Sequence, residues 1–419
     1  MKHSFRLLGA ALIAGASVVA GAGAAAAPAC DGDNAGLTLP SGFCALVVAD
    51  AVGKPRHLAV SSVGEIVAAD ADGGVLILRD RDGDGKAEER SRVPGAGGTG
   101  IALHADHLYF ASDDAVLRWP WKPGQDAPTG AGEVVVGGLV NLRQHAAKSI
   151  AIAAEGPHAG SLFVNIGAPS NSCQDPDRAP GVPGRDPCPL LGRSGGIWRF
   201  DAMRTGQRQD DGERFATGLR NTVALTVQPG TGEPWGVTHG RDSLSMLWPT
   251  LYTPQQNAEK VAEELVHLQR GDDFGWPYCF HDLQLGKKIL SPEYGGDGKT
   301  VGRCAQRKDA AVALPAHWAP IEIEFYTGEQ FPERYRAGAF VSFHGSWDRA
   351  PLPQAGYNVV YVPFEGGKPT GAHEVFASGF GVNPAGPHRP TGLAVGPDGS
   401  LYVADDRGGR IYRIVHLQP

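Results

Sequence analysis

The sequence predicts an all-β fold, a six-bladed β-propeller with long loops on one face, and two observations carry that prediction. A unit made of a short β-forming run, a polar turn and a second short run recurs along the chain, six units in all of which one shows a single run, and each run alternates apolar with polar residues as a half-buried antiparallel strand requires. The chain is also turn-dense, with 59 glycines and 32 prolines in 419 residues, while 42% of it is hydrophobic. That combination provides a core and argues against disorder. Repeats built only of short strands and turns bury their faces against one another around a ring. A β-sandwich would not return the same hairpin six times.

The units follow in order. Residues 64–70 lead to Val75-Leu76-Ile77-Leu78, residues 107–111 to 115–119, and residues 160–164 to 196–200. The fourth unit shows one run, at 233–237; the fifth pairs 338–343 with 357–361, and the sixth pairs 399–404 with 410–414. Long insertions stand at 170–195, 250–310 and 345–356; on a propeller such loops collect on one face and build the site. The one helical window, 255–269, has few apolar neighbours at helical spacing and reads as a loop excursion at most. No linker interrupts the pattern, so residues 28–419 are expected to form one domain.

Ahead of it, Lys2 and Arg6 precede an apolar stretch that ends in Ala24-Ala25-Ala26-Ala27, the order of a secretory signal peptide over residues 1–27. No later segment reaches the roughly 18 apolar residues of a membrane span. The protein is therefore expected to be periplasmic or secreted, where disulfides persist. Its six cysteines allow about 15 connectivities; loop closure favours the near pairs Cys30 with Cys44, Cys173 with Cys188 and Cys279 with Cys304. The net charge of −7 disfavours nucleic acid, which is gripped by clustered Lys and Arg, and small neutral or cationic partners are expected instead.

Four segments then become specific: Gly218-Leu219-Arg220-Asn221; Asp273-Phe274-Gly275-Trp276-Pro277-Tyr278-Cys279; His344-Gly345-Ser346-Trp347-Asp348-Arg349; and Arg389-Pro390-Thr391-Gly392 running on to Pro397-Asp398-Gly399. Taken together, in this order, they resemble the soluble glucose/sorbosone dehydrogenases that depend on pyrroloquinoline quinone (PQQ), over roughly residues 38–416. The sorbosone dehydrogenase-like branch fits better, because Ile166-Gly167-Ala168-Pro169-Ser170-Asn171 lacks the aspartate of the glucose type. The resemblance implies PQQ and Ca²⁺ as cofactors, a sugar or polyol as substrate and a periplasmic electron acceptor.

It also implies residue roles. His145 stands at the family's catalytic base, and imidazole is half-neutral near pH 7 without tuning. Arg220 would steady a quinone oxygen or a developing alkoxide, with Asn221 beside it. The acidic quinone needs cations, for which Arg349 and Arg389 are the candidates, since guanidinium binds carboxylate bidentately. Lys148 replaces an arginine of many relatives and Asn358 a lysine. Trp347 or Trp276 could stack on the flat quinone, although packing is the commoner use of tryptophan. Backbone oxygens near Gly240 and Arg241, with Asp242 close by, would hold calcium.

Alternatives remain at this stage. A calcium-dependent propeller lactonase would need acidic or amide side chains around a central metal, and a non-catalytic glycan- or protein-binding propeller would need neither cofactor. Asp80-Arg81-Asp82-Gly83-Asp84-Gly85 has the acidic alternation of a calcium loop, but its twelfth position is Ser91 rather than Glu, so an Asp/Gly hairpin turn is the better reading. Neither a phosphate-cradling Gly-rich loop nor a Gly-x-Ser-x-Gly elbow occurs, which disfavours nicotinamide and α/β-hydrolase chemistry.

Overall fold

The computed structural model describes Met1 and residues 29–142, 144–381 and 387–417. Apart from Met1, the signal peptide expected at 1–27 lies outside the described residues. Each predicted hairpin forms the second and third strands of a four-stranded antiparallel blade. In the first blade these are Ile66–Asp70 and Val75–Arg79, flanked by Pro55–Val60 and Glu89–Val93. The second blade runs Gly98–His104, His107–Ser112, Ala115–Pro120, Glu133–Gly137, and the third Ile150–Ile152, Ser161–Ile166, Gly196–Asp201, Glu213–Thr217.

The fourth blade, Ala224–Val227, Pro234–Thr238, Glu263–His267 and Val312–Leu314, supplies the partner strand that the sequence did not show. In the fifth, Pro320–Phe325, Gly338–Phe343 and Asn358–Glu365 are followed by Glu374–Ala377. The sixth, Pro390–Val395, Leu401–Asp405 and Arg410–His416, is completed by Phe43–Ala49 from the other end of the chain.

Six hydrophobic clusters each fill one seam between successive blades, for example Val67, Val75, Leu108 and Phe110 between the first and second. Burying a whole side chain of this kind contributes about 1.5–3 kcal/mol, so neighbouring blades, rather than any blade alone, hold the ring together. The seam between fifth and sixth blades is aromatic, with Phe43 edge-on to Phe331, Tyr335 and Phe376.

The first residue of an inner strand pairs with the last residue of its neighbour, as in Pro55 with Asp70, Pro320 with Phe343 and Pro390 with Asp405. The turns from fourth to first strand and from second to third strand therefore open on the same face, and the insertions 167–195, 239–262 and 344–357 stand there. The window read as a loop instead contains a two-turn helix, Pro254–Lys260, where Thr253 and Gln256 form a capping box and Pro254 begins the helix; local capping outweighs the missing apolar stripe. All three disulfides form between the expected near neighbours. Two of them pack with Ala168, Trp276 and Tyr278, joining the loop after the third blade's second strand to the 268–311 excursion. The acidic Asp80 segment is a turn in which Asp80 accepts the N–H groups of Gly83 and Gly85 at 2.7 and 2.8 Å.

Candidate active site

His145 has a left-handed backbone, φ 55°, and lies against Gly167, where an added Cβ would come within 2.7 Å of both the His145 Cβ and Asn221 Oδ1. That contact explains the glycine. His145 Nδ1 is 2.5 Å from the Ala168 carbonyl; an oxygen of that kind only accepts, so Nδ1 carries the hydrogen and Nε2 keeps its lone pair. Burial and then the nearby Arg220 charge lower its pKa to about 3. The imidazole is thus held neutral by its surroundings rather than poised near neutrality, which revises the expectation of an untuned base. Ala168 is fixed in turn, its N–H donating to the Arg220 carbonyl at 2.8 Å.

Arg220 is buried and donates to the Gly240 carbonyl at 2.9 Å and to Asp242 Oδ2 at 2.6 Å. The same carboxylate oxygen accepts from Arg178 at 2.8 Å. Burial alone would raise the Asp242 carboxyl, but the two guanidiniums outweigh it and hold it well below the usual range. Asp242 exchanges a reciprocal pair with Asn171, at 2.9 and 3.0 Å, so the 167–195 loop is locked to this wall. Glu263 accepts from Gly240 N at 2.8 Å, and burial pushes its pKa up to about 7. Asn221 is also buried, its Oδ1 accepting from Asn165 at 3.2 Å.

A second cluster forms where the first, fifth and sixth blades meet. Arg56 pairs with Asp406 at 2.5 Å, Asp406 with His344 Nε2 at 2.8 Å, and His344 Nδ1 lies 3.2 Å from the Arg389 guanidinium. The carboxylate fixes the hydrogen on Nε2 and leaves Nδ1 to accept from arginine. Burial would raise Asp406, but His344 and Arg56 bring it down to about 2. Arg389 lies over the Tyr357 ring, 5.4 Å from its centroid. Gly345, next to His344, has φ 94°, and a Cβ there would sit 2.0 Å from the same ring, which accounts for the glycine in that motif. His239 lies between the two clusters: it faces the Pro320 carbonyl at 2.7 Å, and burial lowers its pKa to about 4.

The structure brings His145, Arg220, Asn221, Gly240 and Asp242 together, with Arg389 in the facing cluster. Arg349 is spent on main chain, donating to the carbonyls of Ala258, Ala316 and Pro353 at 2.8, 3.0 and 3.3 Å. Lys148 is fully buried and donates to the Ala146 carbonyl, and burial lowers its pKa to about 8. The Arg241 side chain turns under the site to pair with buried Glu293, so only its backbone faces the calcium role considered for it. Trp276 is buried with Nε1 donating to the Asn171 carbonyl at 2.8 Å, whereas Trp347 is 57% exposed with Arg178 6.0 Å from its ring.

Sequence reasoning missed Arg56, Arg178, His239, His317 and Asp406. Asp406 had a signal: it directly follows the strand Leu401–Asp405, at the end that opens on the loop face. Arg178 had none, because it reaches Asp242 across 64 residues.

Two features invite a ligand. The Nε atoms of Arg220 and Arg389 are buried without a partner, an arrangement that costs free energy unless an acceptor arrives. Ligand atoms of Asp242, His317 and Asp348 also lie within 4.8 Å of one another, a spacing that suits a shared cation.

A family model described as TrAA12-like matches residues 37–417. The chain belongs to the TrAA12-like family. Among curated relatives, a pyrroloquinoline quinone-dependent pyranose dehydrogenase of Coprinopsis cinerea is 25% identical over 366 residues, covering 76% of this chain and 46% of that protein. A pyrroloquinoline quinone-dependent sugar dehydrogenase of Hypocrea jecorina is 22% identical over 418 residues, covering 93% of each. An uncharacterized Borreliella burgdorferi protein is 29% identical over 206 residues, covering 49% of each; the chain thus spans about half the length of the Borreliella and Coprinopsis relatives. Among solved structures, the calcium form of the Trichoderma reesei AA12 enzyme superposes with a TM-score of 0.74 at 20% identity, covering 91% of this chain and 97% of that one. The holo PQQ domain of the Coprinopsis pyranose dehydrogenase gives 0.73 at 21%, covering 90% and 97%. Both share the fold of this TrAA12-like chain over nine-tenths of its length.

Proposed function

We propose that this TrAA12-like protein is an exported quinoprotein oxidoreductase, oxidising a sugar, a related polyol or an aldehyde hydrate with PQQ as hydride acceptor. The observation that carries the reading is the pairing of a neutral, tautomer-locked His145 with the unpartnered buried Nε atoms of Arg220 and Arg389. A base with a free lone pair beside donors that lack an acceptor is what oxidation of a hydroxyl beside an anionic cofactor needs. Three disulfides support an oxidising compartment, and among the described residues no helix is long and apolar enough to cross a membrane.

The residues fit the group. Arg220, Asn221 and Arg389 would hold the quinone's oxygens and carboxylates, Arg56 would balance Asp406, and exposed Trp347 offers a face for stacking. A calcium ion takes oxygen ligands, and the carbonyls of Gly240 and Arg241 with the carboxylates of Asp242 and Asp348 would supply them. When bound, the quinone takes up two electrons as hydride and calcium makes its carbonyl a better acceptor.

His145 Nε2 would take the hydroxyl proton, and the Ala168 carbonyl would stabilise the imidazolium so formed through its Nδ1–H. Arg220 would offset the negative charge that develops on the substrate oxygen. The absence of an acid from the 166–171 segment supports a sorbosone-type preference, and a periplasmic carrier would receive the electrons.

The test is reconstitution of the purified chain with calcium and PQQ, followed by dye reduction with aldoses, sorbosone and polyols. Saturable PQQ uptake and sugar-dependent reduction are expected. Failure to take up PQQ would remove the dehydrogenase reading and leave the lactonase or non-catalytic alternatives.

A further inference from the structure

Three unused ligand atoms converge where the 239–262 and 344–357 insertions meet the turn that joins the fourth and fifth blades. His317 on that turn is 7% exposed, and its Nε2 is 2.7 Å from the Asn257 carbonyl. A carbonyl oxygen only accepts, so Nε2 carries the hydrogen and Nδ1 keeps its lone pair. That nitrogen lies 4.0 Å from Asp242 Oδ1, beyond hydrogen-bond reach, and no described residue donates to it. Asp242 spends Oδ2 on Arg220 and Arg178, and Asp348 spends Oδ2 on the Ser243 N–H at 2.7 Å, so among the described residues each carboxylate retains a free Oδ1. With one oxygen of Asp348, the three ligand atoms all lie within 4.8 Å of one another. Asp242 and Asp348 are half-buried, which leaves the space among them open to the loop face. Asn257 fixes two sides of it, accepting from His317 and donating its Nδ2 to the Asp348 carbonyl at 2.9 Å; it belongs to the capped helix Pro254–Lys260.

We propose that His317 is a nitrogen ligand to the divalent cation held by Asp242 and Asp348, so that this position takes a transition ion such as Zn²⁺ more tightly than Ca²⁺. The inference rests on the calcium position of the proposed reading and deepens it, adding a third side chain and a metal preference. A cation about 2.0–2.6 Å from each ligand leaves its ligand atoms at most about 4–5 Å apart, which is the spacing of this cluster. Calcium takes oxygen, whereas imidazole suits zinc, copper, iron and nickel, so a bare imidazole nitrogen between two carboxylates shifts the preference away from calcium. The hydrogen bonds to Asn257 and Ser243 orient the ring and the Asp348 carboxylate, as outer partners do in metal centres. The Arg220 and Arg178 guanidiniums sit on the far oxygen of Asp242; they aim that carboxylate and leave part of the ion's charge for the anionic quinone to balance.

The experiment titrates Zn²⁺ and Ca²⁺ separately into the cofactor-free protein by calorimetry, for the wild type, His317→Asn and Asp348→Asn. Asparagine accepts the left-handed backbone of residue 317, φ 61°, and Asp348→Asn keeps an oxygen for the Ser243 N–H, so both variants are expected to fold, with Tm as the check. The wild type should bind one Zn²⁺ at least about tenfold more tightly than Ca²⁺. His317→Asn should weaken Zn²⁺ by at least about tenfold, the low end of what disturbing a metal's surroundings costs, and leave Ca²⁺ nearly unchanged; Asp348→Asn should weaken both. Zn²⁺ binding that is the same in His317→Asn, or Ca²⁺ bound more tightly than Zn²⁺, overturns the nitrogen ligand. If that result comes with saturable PQQ uptake in the presence of calcium, the ligand falls and the quinone reading stands. Zn²⁺ binding that depends on His317, in a protein that takes up no PQQ, keeps the ligand and overturns the quinone reading.

Discussion

The wall of third and fourth blades and the wall of first, fifth and sixth blades use the same residue types in opposite ways. On the first, histidine donates to a main-chain carbonyl and keeps Nε2 bare, while one aspartate, Asp242, is shared by two arginines. On the second, histidine donates to aspartate and its bare nitrogen is consumed by arginine. An imidazole backed by a neutral carbonyl remains free to accept a proton from outside; one placed between a carboxylate and a guanidinium has no site left and instead fixes the arginine. On the proposed reading, the contrast separates a proton-handling wall from an anion-holding wall.

The largest effect is expected at His145. His145→Ala should lower turnover by at least about a hundredfold, the usual scale for a lost general base, while PQQ titration is unchanged; His344→Ala should instead disturb that titration. Equal turnover in His145→Ala would place the base elsewhere and dissolve the distinction.

Next comes Arg389→Ala, which should weaken PQQ affinity by about ten- to a hundredfold, from a charge-assisted bond of about 1.5–3 kcal/mol. Arg349→Ala is the control. Its hold on three carbonyls predicts a loss of roughly 1–3 kcal/mol of stability, read as a lower Tm, with PQQ uptake intact; a weakened titration would return Arg349 to the pocket.

The smallest effect is in pH. With its pKa depressed to about 3, His145 stays neutral at mildly acidic pH, so kcat/KM should show no acid limb near the ordinary imidazole value of about 6.5. The sign for stability follows: the neutral form is favoured in the fold, so its contribution is complete above about pH 6.5 and declines as pH falls from there toward 3. An acid limb at 6.5 that His145→Gln removes would show an imidazole open to water.

Much of this was legible because strands leave local signals. The hairpins Ile66–Asp70 with Val75–Arg79 and Leu401–Asp405 with Arg410–His416 are declared by alternation and a polar turn. Inner strands such as Ala224–Val227 are short and nearly continuous in apolar residues, so they carry no period of two. The strand Glu263–His267 was hidden because 24 residues, including two helices, separate it from its partner. In the site, His145, Arg220 and Arg389 could be named from motifs, but their partners could not. Asp242 serves Arg220 and Arg178 across loops whose approach depends on the ring having closed, and the main-chain role of Arg349 depends on the Pro254–Lys260 helix beside it.

The sixth blade borrows its outer strand, Phe43–Ala49, from the opposite end of the chain. Arg389 stands at the entrance of that same sheet, so one half of the proposed anion grip exists only after the two termini have met. A nascent chain would carry an open sheet edge until the strand Arg410–His416 had emerged to pair with Phe43–Ala49, and non-local pairing of this kind is slow to form. On the proposed reading, the protein would therefore become able to capture a costly redox ligand late, once the whole polypeptide has been made, and a prematurely ended copy would meet that ligand with half of the grip missing.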